Sequence, residues 1–271
     1  MSGNRQPQPE DLLNEEDSNM FEELNLSKKE VLNAALISSK AYSDNDDSVS
    51  LYINGDGVHF EKKQYFDVNG TEGVIYYDVT DNILYVAFRG TSGIKDVSTD
   101  INILGKKFLG TKAHRGFVEA FEDVQYILED VIKTLLTSKF SIKKIIVSGH
   151  SLGGALAQLG YLYMHMNYKT KLDELGVSYA LVTFGSPKVF HARAIDTTMI
   201  HIFGKTLRVT HADDVVPTLP KYSSFLKKLL KIEYVHLGQH YGVGNKDEDG
   251  ILKEHKLKHY ISKLESIVEE V

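Results

Sequence analysis

The chain contains no cysteine among its 271 residues. No disulfide, thiolate metal site or cysteine nucleophile can therefore form. Secreted enzymes of this size often carry disulfides, and so the lack of cysteine favours a reducing compartment. A cytoplasmic location is the simplest expectation, with secretion left open if a leader has been removed.

Long apolar runs and an excess of basic residues are missing as well. No stretch of about 18 apolar residues occurs, which predicts no transmembrane helix. Residues 1–23 are polar and acidic and contain no apolar segment of the kind found in signal peptides. The net charge of −6 leaves no cationic surplus to neutralise phosphates, and a nucleic-acid partner is therefore not expected.

What the chain does contain is an ordinary globular composition, with 42% hydrophobic and 25% charged residues. Residues 1–20 are too polar to repay the entropy of ordering and are expected to form a disordered tail. Structure is expected to begin at Ser27, because Ser27 and Glu30 have capping-box spacing. No linker or internal repeat interrupts the rest, and residues 21–271 are predicted to form a single domain.

The order of strand-like and helix-like segments predicts an α/β fold. Residues 73–79 and 83–89 favour a β-hairpin, and from Phe117 onward helical and strand patterns alternate. Such alternation implies a mostly parallel central sheet with helices on both faces. The segments expected there are a helix over 117–135, a strand at 144–148, a helix at 152–166, strands at 177–184 and 206–210, and a helix at 255–268.

The stretch Gly149-His150-Ser151-Leu152-Gly153 has the spacing of a nucleophile elbow. The spacing alone is weak, because roughly one chain in ten of this composition would contain it by accident. Its context strengthens it, since an apolar strand ends directly before it and an Ala/Leu-rich helix begins directly after it. The sequence therefore predicts Ser151 as a nucleophile, with the Leu152 N–H aimed at the oxyanion. The alternative is a plain or anion-binding strand–helix turn.

A serine hydroxyl needs a neighbouring base, and in α/β-hydrolases an Asp and then a His follow the serine along the chain. Asp213 and Asp214 leave the predicted strand at 206–210 together, and either carboxylate suits the acid. His255, which follows a glycine-rich acidic loop, is preferred as the base over His259 one helical turn later. The other candidates are His201, His211, His236 and His240.

Five segments, taken in order, resemble the class 3 lipase family, which includes fungal triacylglycerol lipases and intracellular acyl hydrolases. The resemblance extends over roughly residues 30–268, and the joint occurrence of the segments makes it highly specific. They are Ala87–Ser92, Ala113–Phe117, Val147–Ala155, Thr183–Pro187 and Arg208–Pro220.

The resemblance implies a catalytic triad of Ser151, Asp214 and His255. Asp214 directly precedes Val215-Val216-Pro217 and matches the family's acid better than Asp213 does. His255 matches the C-terminal histidine, since Tyr260 follows it by five residues. Without the resemblance, the choice between neighbouring carboxylates and histidines stays open.

The resemblance also implies an oxyanion hole of Thr91 and Leu152, with Asp100 fixing the Thr91 hydroxyl. The segment after Thr91 is expected to form an amphipathic lid that turns its apolar side to a lipid surface. Without the family, an ordinary surface helix and loop would be preferred there. The basic amphipathic stretch Phe225–Ile232 is a second candidate for transient contact with a membrane or lipid droplet, with a packed surface helix as an equal alternative. The lid's apolar residues are Ile94, Val97, Ile101, Ile103 and Leu104.

Taken together, these features imply an α/β-hydrolase that cleaves carboxylic esters of lipids, such as triacylglycerols, through an acyl-enzyme. The chemistry of such a site needs no metal and no organic cofactor. Two alternatives stay open. One is an esterase for water-soluble or phenolic esters on the same scaffold, and the other is a non-catalytic lipid-binding pseudo-hydrolase.

Overall fold

The structure is a computed structural model. It describes residues 19–43, 50–53, 56–90, 104–137, 141–220, 232–244 and 255–269. Residues 1–18 of the predicted tail lie outside the described residues. So do Thr91, Asp100 and the lid segment through residue 103, and residues 225–231 of the basic stretch.

The described chain begins earlier than expected. Residues 19–23 are helical, which includes the last two positions of the predicted tail and precedes the expected start at Ser27. Phe21 and Leu24 are buried, and the Phe21 ring meets Tyr241 edge-on with centroids 5.2 Å apart. The expected start was wrong because these apolar side chains are few and show no clear helical pattern among the polar residues around them. Their burial depends on a surface that comes from the far end of the chain.

The helices are α1 (Lys28–Lys40), α2 (Arg115–Thr137), α3 (Leu152–Glu174), α4 (Thr197–Phe203) and α5 (Leu257–Glu269). The first seven strands are β1 (Ser50–Ile53), β2 (Asp56–Val68), β3 (Thr71–Asp78), β4 (Ile83–Phe88), β5 (Gly105–Phe108), β6 (Thr111–His114) and β7 (Lys144–His150). The others are β8 (Ser178–Phe184), β9 (Phe190–His191), β10 (Leu207–His211), β11 (Tyr234–Val235) and β12 (Gln239–Val243). Short 3-10 helices lie at Ala192–Ala194 and Val216–Thr218.

The main sheet has eight strands in the order β1-β2-β3-β4-β7-β8-β10-β12. Strands β4, β7, β8, β10 and β12 run parallel to their neighbours in this series. The first four strands pair antiparallel, and β3 with β4 forms the predicted hairpin. The parallel arrangement aligns the carboxyl ends of β4, β7, β8 and β10 at one edge, where α/β proteins place their functional residues.

A second sheet, of four antiparallel strands in the order β11-β9-β6-β5, lies apart from the main one. This sheet is not predictable from local sequence pattern, because its strands are two to four residues long and carry no periodic pattern. Helix α4 was not predicted either, because its seven residues are too few to show a helical pattern.

Helices cover both faces of the main sheet, as predicted. The side chains of β7 alternate between the two faces: Ile145 and Val147 pack with α2 and α3, whereas Ile146 packs with α1 and α5. All three are fully buried, so β7 is the centre of the fold. Among the described residues, no helix combines the length and the hydropathy needed to cross a bilayer.

An ion pair of low exposure ties the start of β7 to the start of α1. Lys144 Nζ lies 2.7 Å from Glu30 Oε1, and the two side chains are 14% and 12% exposed. Lys144 also donates to the Asn25 carbonyl oxygen at 2.8 Å. The other oxygen of Glu30 accepts from Ser27 N at 2.8 Å, and the Ser27 hydroxyl accepts from Glu30 N, which completes the predicted capping box.

Lys144→Ala is expected to lower the free energy of unfolding by about 2 kcal/mol, because it leaves the Glu30 carboxylate poorly hydrated and without its cation. Lys169→Ala is the matched control, since Lys169 pairs with Asp173 on the exposed side of α3. That change is expected to cost less than about 0.5 kcal/mol. Urea unfolding followed by circular dichroism measures both. Equal losses in the two variants would contradict the structural role of the buried pair.

Candidate active site

The turn between β7 and α3 consists of Ser151 alone, because the strand ends at His150 and the helix begins at Leu152. Its backbone has φ 58° and ψ −128°, a conformation that residues other than glycine rarely adopt. Ser151 N donates to the Phe184 carbonyl oxygen at 3.0 Å, and Ser151 O accepts from Gly154 N at 3.0 Å. This is the strained strand–turn–helix geometry of a nucleophile elbow.

Glycine is required on both sides of this turn because backbones touch there. A Cβ atom on Gly149 would overlap the Gly153 carbonyl, and one on Gly153 would overlap the carbonyl of Phe88 at the end of β4. Neither obstacle is a side chain that could rotate away. The close approach of strand and helix therefore depends on the two missing side chains.

The N-terminus of α3 supplies donors next to Ser151. The first amides of a helix, here beginning with Leu152, carry a partial positive charge. Gly90, the residue before Thr91, also reaches the turn: a Cβ on it would lie 3.0 Å from Ser151 Cβ. The chain that leads into the expected oxyanion residue therefore packs directly against the elbow.

Asp214 is buried just beyond the end of β10, with 6% of its surface exposed. Its Oδ1 accepts from Val216 N at 2.8 Å. Its Oδ2 accepts from His255 Nδ1 at 2.7 Å and from the Tyr260 hydroxyl. Asp213 is half-buried and lies in the same turn. Asp214 is thus the carboxylate that holds His255.

His255 lies in the turn directly before α5 and is 3% exposed. With Nδ1 bonded to Asp214, its other ring nitrogen, Nε2, has no hydrogen-bond partner among the described residues, and neither has Ser151 Oγ. The His255 ring packs against the ring of His150, the residue before Ser151, with centroids 4.5 Å apart. The fold therefore brings His255 to the turn that carries Ser151.

The remaining candidate histidines lie elsewhere. The His259 ring packs beside His211, with centroids 6.5 Å apart. His236 Nε2 donates to the Pro217 carbonyl oxygen at 2.6 Å, and burial lowers the pKa of His236 to about 4. His240 lies at the sheet edge, where Nε2 is 2.6 Å from the Thr210 hydroxyl oxygen. His201 is an exposed residue of α4.

Two residues of this site, Tyr42 and His150, were not singled out from the sequence. The Tyr42 hydroxyl lies 2.9 Å from His150 Nδ1, across 108 positions of the chain. His150 was treated only as the variable position of the elbow motif. Tyr260 was noted as a family landmark, and the structure adds that its hydroxyl donates to Asp214. A buried aromatic residue with a hydroxyl near a carboxylate is a recognisable pattern only once the fold is known.

His150 differs electrostatically from the histidine it packs against. Its burial, together with the nearby His255, lowers the pKa of His150 to about 3, although the Asp214 carboxylate acts in the opposite direction. The His150 ring is consequently neutral at physiological pH. Within the part of the chain that the structure describes, no group of three His, Cys, Asp or Glu side chains is arranged to hold a metal ion.

The parallel sheet, its elbow and the flanking helices define an α/β-hydrolase fold. Residues 85–224 match the family described as Lipase (class 3), and the chain belongs to that family. The fold class and the family expected from the sequence are thereby confirmed.

Curated relatives of the chain include fungal lipases. Secreted mono- and diacylglycerol lipase 1 of Fusarium solani is 34% identical over 164 residues, which cover 56% of this chain and 45% of the relative. The lipase of Rhizomucor miehei is 26% identical over 208 residues, 69% of this chain and 51% of that protein. The chain thus spans about half the length of these relatives.

Solved structures of fungal lipases share the fold. Lipase II from Rhizopus niveus superposes with a TM-score of 0.61 at 21% identity, over 83% of this chain and 88% of the other. The Rhizomucor miehei lipase propeptide complex gives the same TM-score of 0.61 at 21% identity, over 80% of this chain and 68% of that one. At such low identity the likeness establishes the common architecture.

Gly149→Ala is expected to lower the free energy of unfolding by about 3 kcal/mol, because its Cβ would displace the backbone of Gly153. Gly116→Ala is the matched control: its Cβ would meet only the His114 ring, at 3.6 Å, and it lies in the first turn of α2. Differential scanning calorimetry of both variants measures the difference. If the two proteins unfold at the same temperature, the close contact at the elbow does not constrain the fold.

Proposed function

We propose that the protein is a serine hydrolase that cleaves carboxylic esters of lipids, with acylglycerols as its substrates. One observation carries the proposal: Ser151 occupies a strained turn beside a buried histidine whose Nδ1 is bonded to a buried carboxylate. Such a pair converts an ordinary hydroxyl into a nucleophile, because the imidazole removes its proton as the new bond forms.

In the proposed reaction, Ser151 Oγ adds to the ester carbonyl carbon while its proton passes to His255 Nε2. The charge that develops on the carbonyl oxygen is stabilised by the Leu152 N–H at the start of α3. Collapse of this intermediate expels the alcohol oxygen, which takes the proton from His255. Water then adds to the acyl-enzyme by the same route, which releases the carboxylic acid and regenerates Ser151.

Thr91 is proposed as the second oxyanion residue, with Asp100 as its partner. This assignment comes from the family pattern, since both residues lie outside the described residues. The packing of Gly90, its neighbour in the sequence, against the elbow supports it. Each donor to the oxyanion would contribute on the order of 3 kcal/mol to the transition state.

Asp214 is suited to hold the base because its oxygens are saturated with donors. Val216 N, the Tyr260 hydroxyl and His255 Nδ1 all donate to this one carboxylate. Donors of this kind fix the orientation of the carboxylate. The carboxylate in turn selects the His255 tautomer whose free nitrogen is Nε2.

The substrate class is proposed from the relatives. The Fusarium solani protein is named a mono- and diacylglycerol lipase, and a Nicotiana tabacum relative is named a triacylglycerol lipase. Contact with a membrane or lipid-droplet surface stays a prediction, because the segments expected to make it lie outside the described residues. The cytoplasmic location also stays a prediction, and the relatives from Fusarium and Penicillium are named as secreted.

Ser151→Ala is expected to abolish hydrolysis of a panel of mono-, di- and triacylglycerols by removing the nucleophile. A fluorophosphonate probe is expected to label the wild type and not the variant. Ser178→Ala, at the start of β8, is the matched control and is expected to keep full labelling. The proposal fails if the folded wild type is not labelled, or if Ser151→Ala still turns over substrate at the wild-type rate.

His255→Ala is expected to lower kcat by roughly 10⁴-fold or more, because Ser151 loses its base. His259→Ala is the matched control, since it removes the same side chain from the first turns of α5 without touching Asp214. It is expected to keep most of the activity. Initial rates on a soluble p-nitrophenyl ester measure both variants. The reverse ranking would move the base from His255 to His259.

A further inference from the structure

A second series of contacts lies behind the proposed triad. Tyr42, just after the end of α1, places its hydroxyl 2.9 Å from His150 Nδ1. The His150 ring then lies against the His255 ring, with centroids 4.5 Å apart and 31° between the planes. The proposed reaction assigns no role to Tyr42 or to His150. The two residues nevertheless form a continuous series of contacts that ends at the base, His255.

Tyr42 is held firmly enough to impose an orientation on its neighbour. A Cβ on Gly90 would overlap the Tyr42 hydroxyl, so the end of β4 leaves space for that group and no more. The Arg89 guanidinium lies 5.7 Å from the centre of the Tyr42 ring. The Arg89 side chain forms an ion pair with Glu72. The Arg89 backbone N–H donates to the Glu72 carbonyl oxygen at 2.8 Å.

The hydrogen bond between Tyr42 and His150 has a defined direction. Burial raises the pKa of the Tyr42 hydroxyl, which therefore keeps its proton and donates. His150 Nδ1 is the acceptor, and the neutral ring then carries its proton on Nε2. The groups that face His150 are the Tyr42 hydroxyl, the ring and the backbone of His255, the Asp214 carboxylate beyond it, and the Tyr260 ring at 6.0 Å between centroids.

We propose that Tyr42 is a positioning residue that acts on His255 through the ring of His150. The inference rests on the proposed function, in which His255 gains a proton during each chemical step. A neutral ring held in one orientation supports the His255 ring from its face without repelling the imidazolium. Tyr42 maintains that state of His150 by donating to Nδ1. The hydrogen bond keeps Nδ1 unprotonated and prevents the ring from rotating.

Tyr42→Phe keeps the aromatic ring beside Arg89 and removes only the hydroxyl. His150 Nδ1 then becomes a buried acceptor without its donor, and the ring is free to change tautomer or orientation. We expect kcat to fall about tenfold and KM to change little, because the hydroxyl acts on the base.

The test is a double-mutant cycle on hydrolysis of p-nitrophenyl butyrate. Tyr42→Phe, His150→Asn and the double variant are compared with the wild type. If Tyr42 acts through the His150 ring, the hydroxyl has no further effect on kcat once that ring is gone. Tyr161→Phe is the matched control, since it removes another buried hydroxyl, one that donates to the Ile202 carbonyl oxygen at 3.4 Å. Its kcat is expected to stay within about twofold of the wild type.

Nitrogen-15 spectra of the histidine side chains provide a readout that needs no turnover, with His150 assigned from its absence in His150→Asn. The wild type is expected to show one neutral tautomer of His150, protonated on Nε2, between about pH 5 and 8. Tyr42→Phe is expected to show a mixed tautomer or a titration in that range. The proposal is overturned if Tyr42→Phe leaves the His150 tautomer unchanged and has the same kcat as the Tyr161→Phe control. It is also overturned if the Tyr42→Phe effect persists in full in the His150→Asn background.

The two levels of inference fail separately. If the wild type hydrolyses no ester and takes no fluorophosphonate label, the proposed function is wrong whatever the spectra of His150 show. If the wild type is active and Tyr42→Phe matches the Tyr161→Phe control, the serine hydrolase proposal stands and the positioning role of Tyr42 is wrong.

Discussion

The backbone conformation of Ser151 constrains both the sheet and the site. Holding a serine at φ 58° costs on the order of 1 to 3 kcal/mol. The strained conformation persists only because the surrounding structure permits no other. β7 is hydrogen-bonded to β4 on one side and to β8 on the other, so it cannot shift to relax the turn. The helix cannot move away either, because the Ser151 amide is bonded to Phe184 and α3 is packed into the core. The register of β7, the docking of α3 and the position of the buried Ser151 hydroxyl therefore depend on one another.

The acid and the base reach this turn from parts of the chain that are remote in sequence. Asp214 arrives because β10 is parallel to β8 and ends at the same edge of the sheet. His255 arrives because α5 docks beside α1, where Leu257, Tyr260 and Leu264 are buried. Tyr260 contributes to both, since its ring is part of that core and its hydroxyl donates to Asp214. The packing of the last helix and the orientation of the base are therefore coupled by a single side chain.

Local pattern predicted the strands and helices that flank Ser151, because an apolar run followed by an Ala/Leu-rich segment specifies that turn over a few residues. The position of His255 after a loop favoured it over His259 but did not decide between them, since residues four apart lie on the same side of a helix. The family motif made that choice, and His255 is the residue whose Nδ1 contacts Asp214. Tyr42 was beyond reach from the sequence, as 108 positions separate it from His150 and nothing near it is periodic. Phe21 was missed likewise, because the surface that buries it belongs to Tyr241.

The identity of residue 150 can be argued from charge. A permanent cation there would lie about 4 to 5 Å from the protonated base and, at an effective dielectric constant near 20, would oppose the imidazolium by about 4 kcal/mol. That penalty is about as large as the stabilisation of the transition state that one oxyanion donor provides. A phenylalanine would avoid the repulsion but could not accept the Tyr42 proton, so its ring orientation would be set by packing alone. A buried histidine satisfies both demands, because burial lowers the pKa of His150 to about 3 and its Nδ1 remains an acceptor. The neutral histidine is thus the residue that supports the face of the base while leaving its positive charge unopposed.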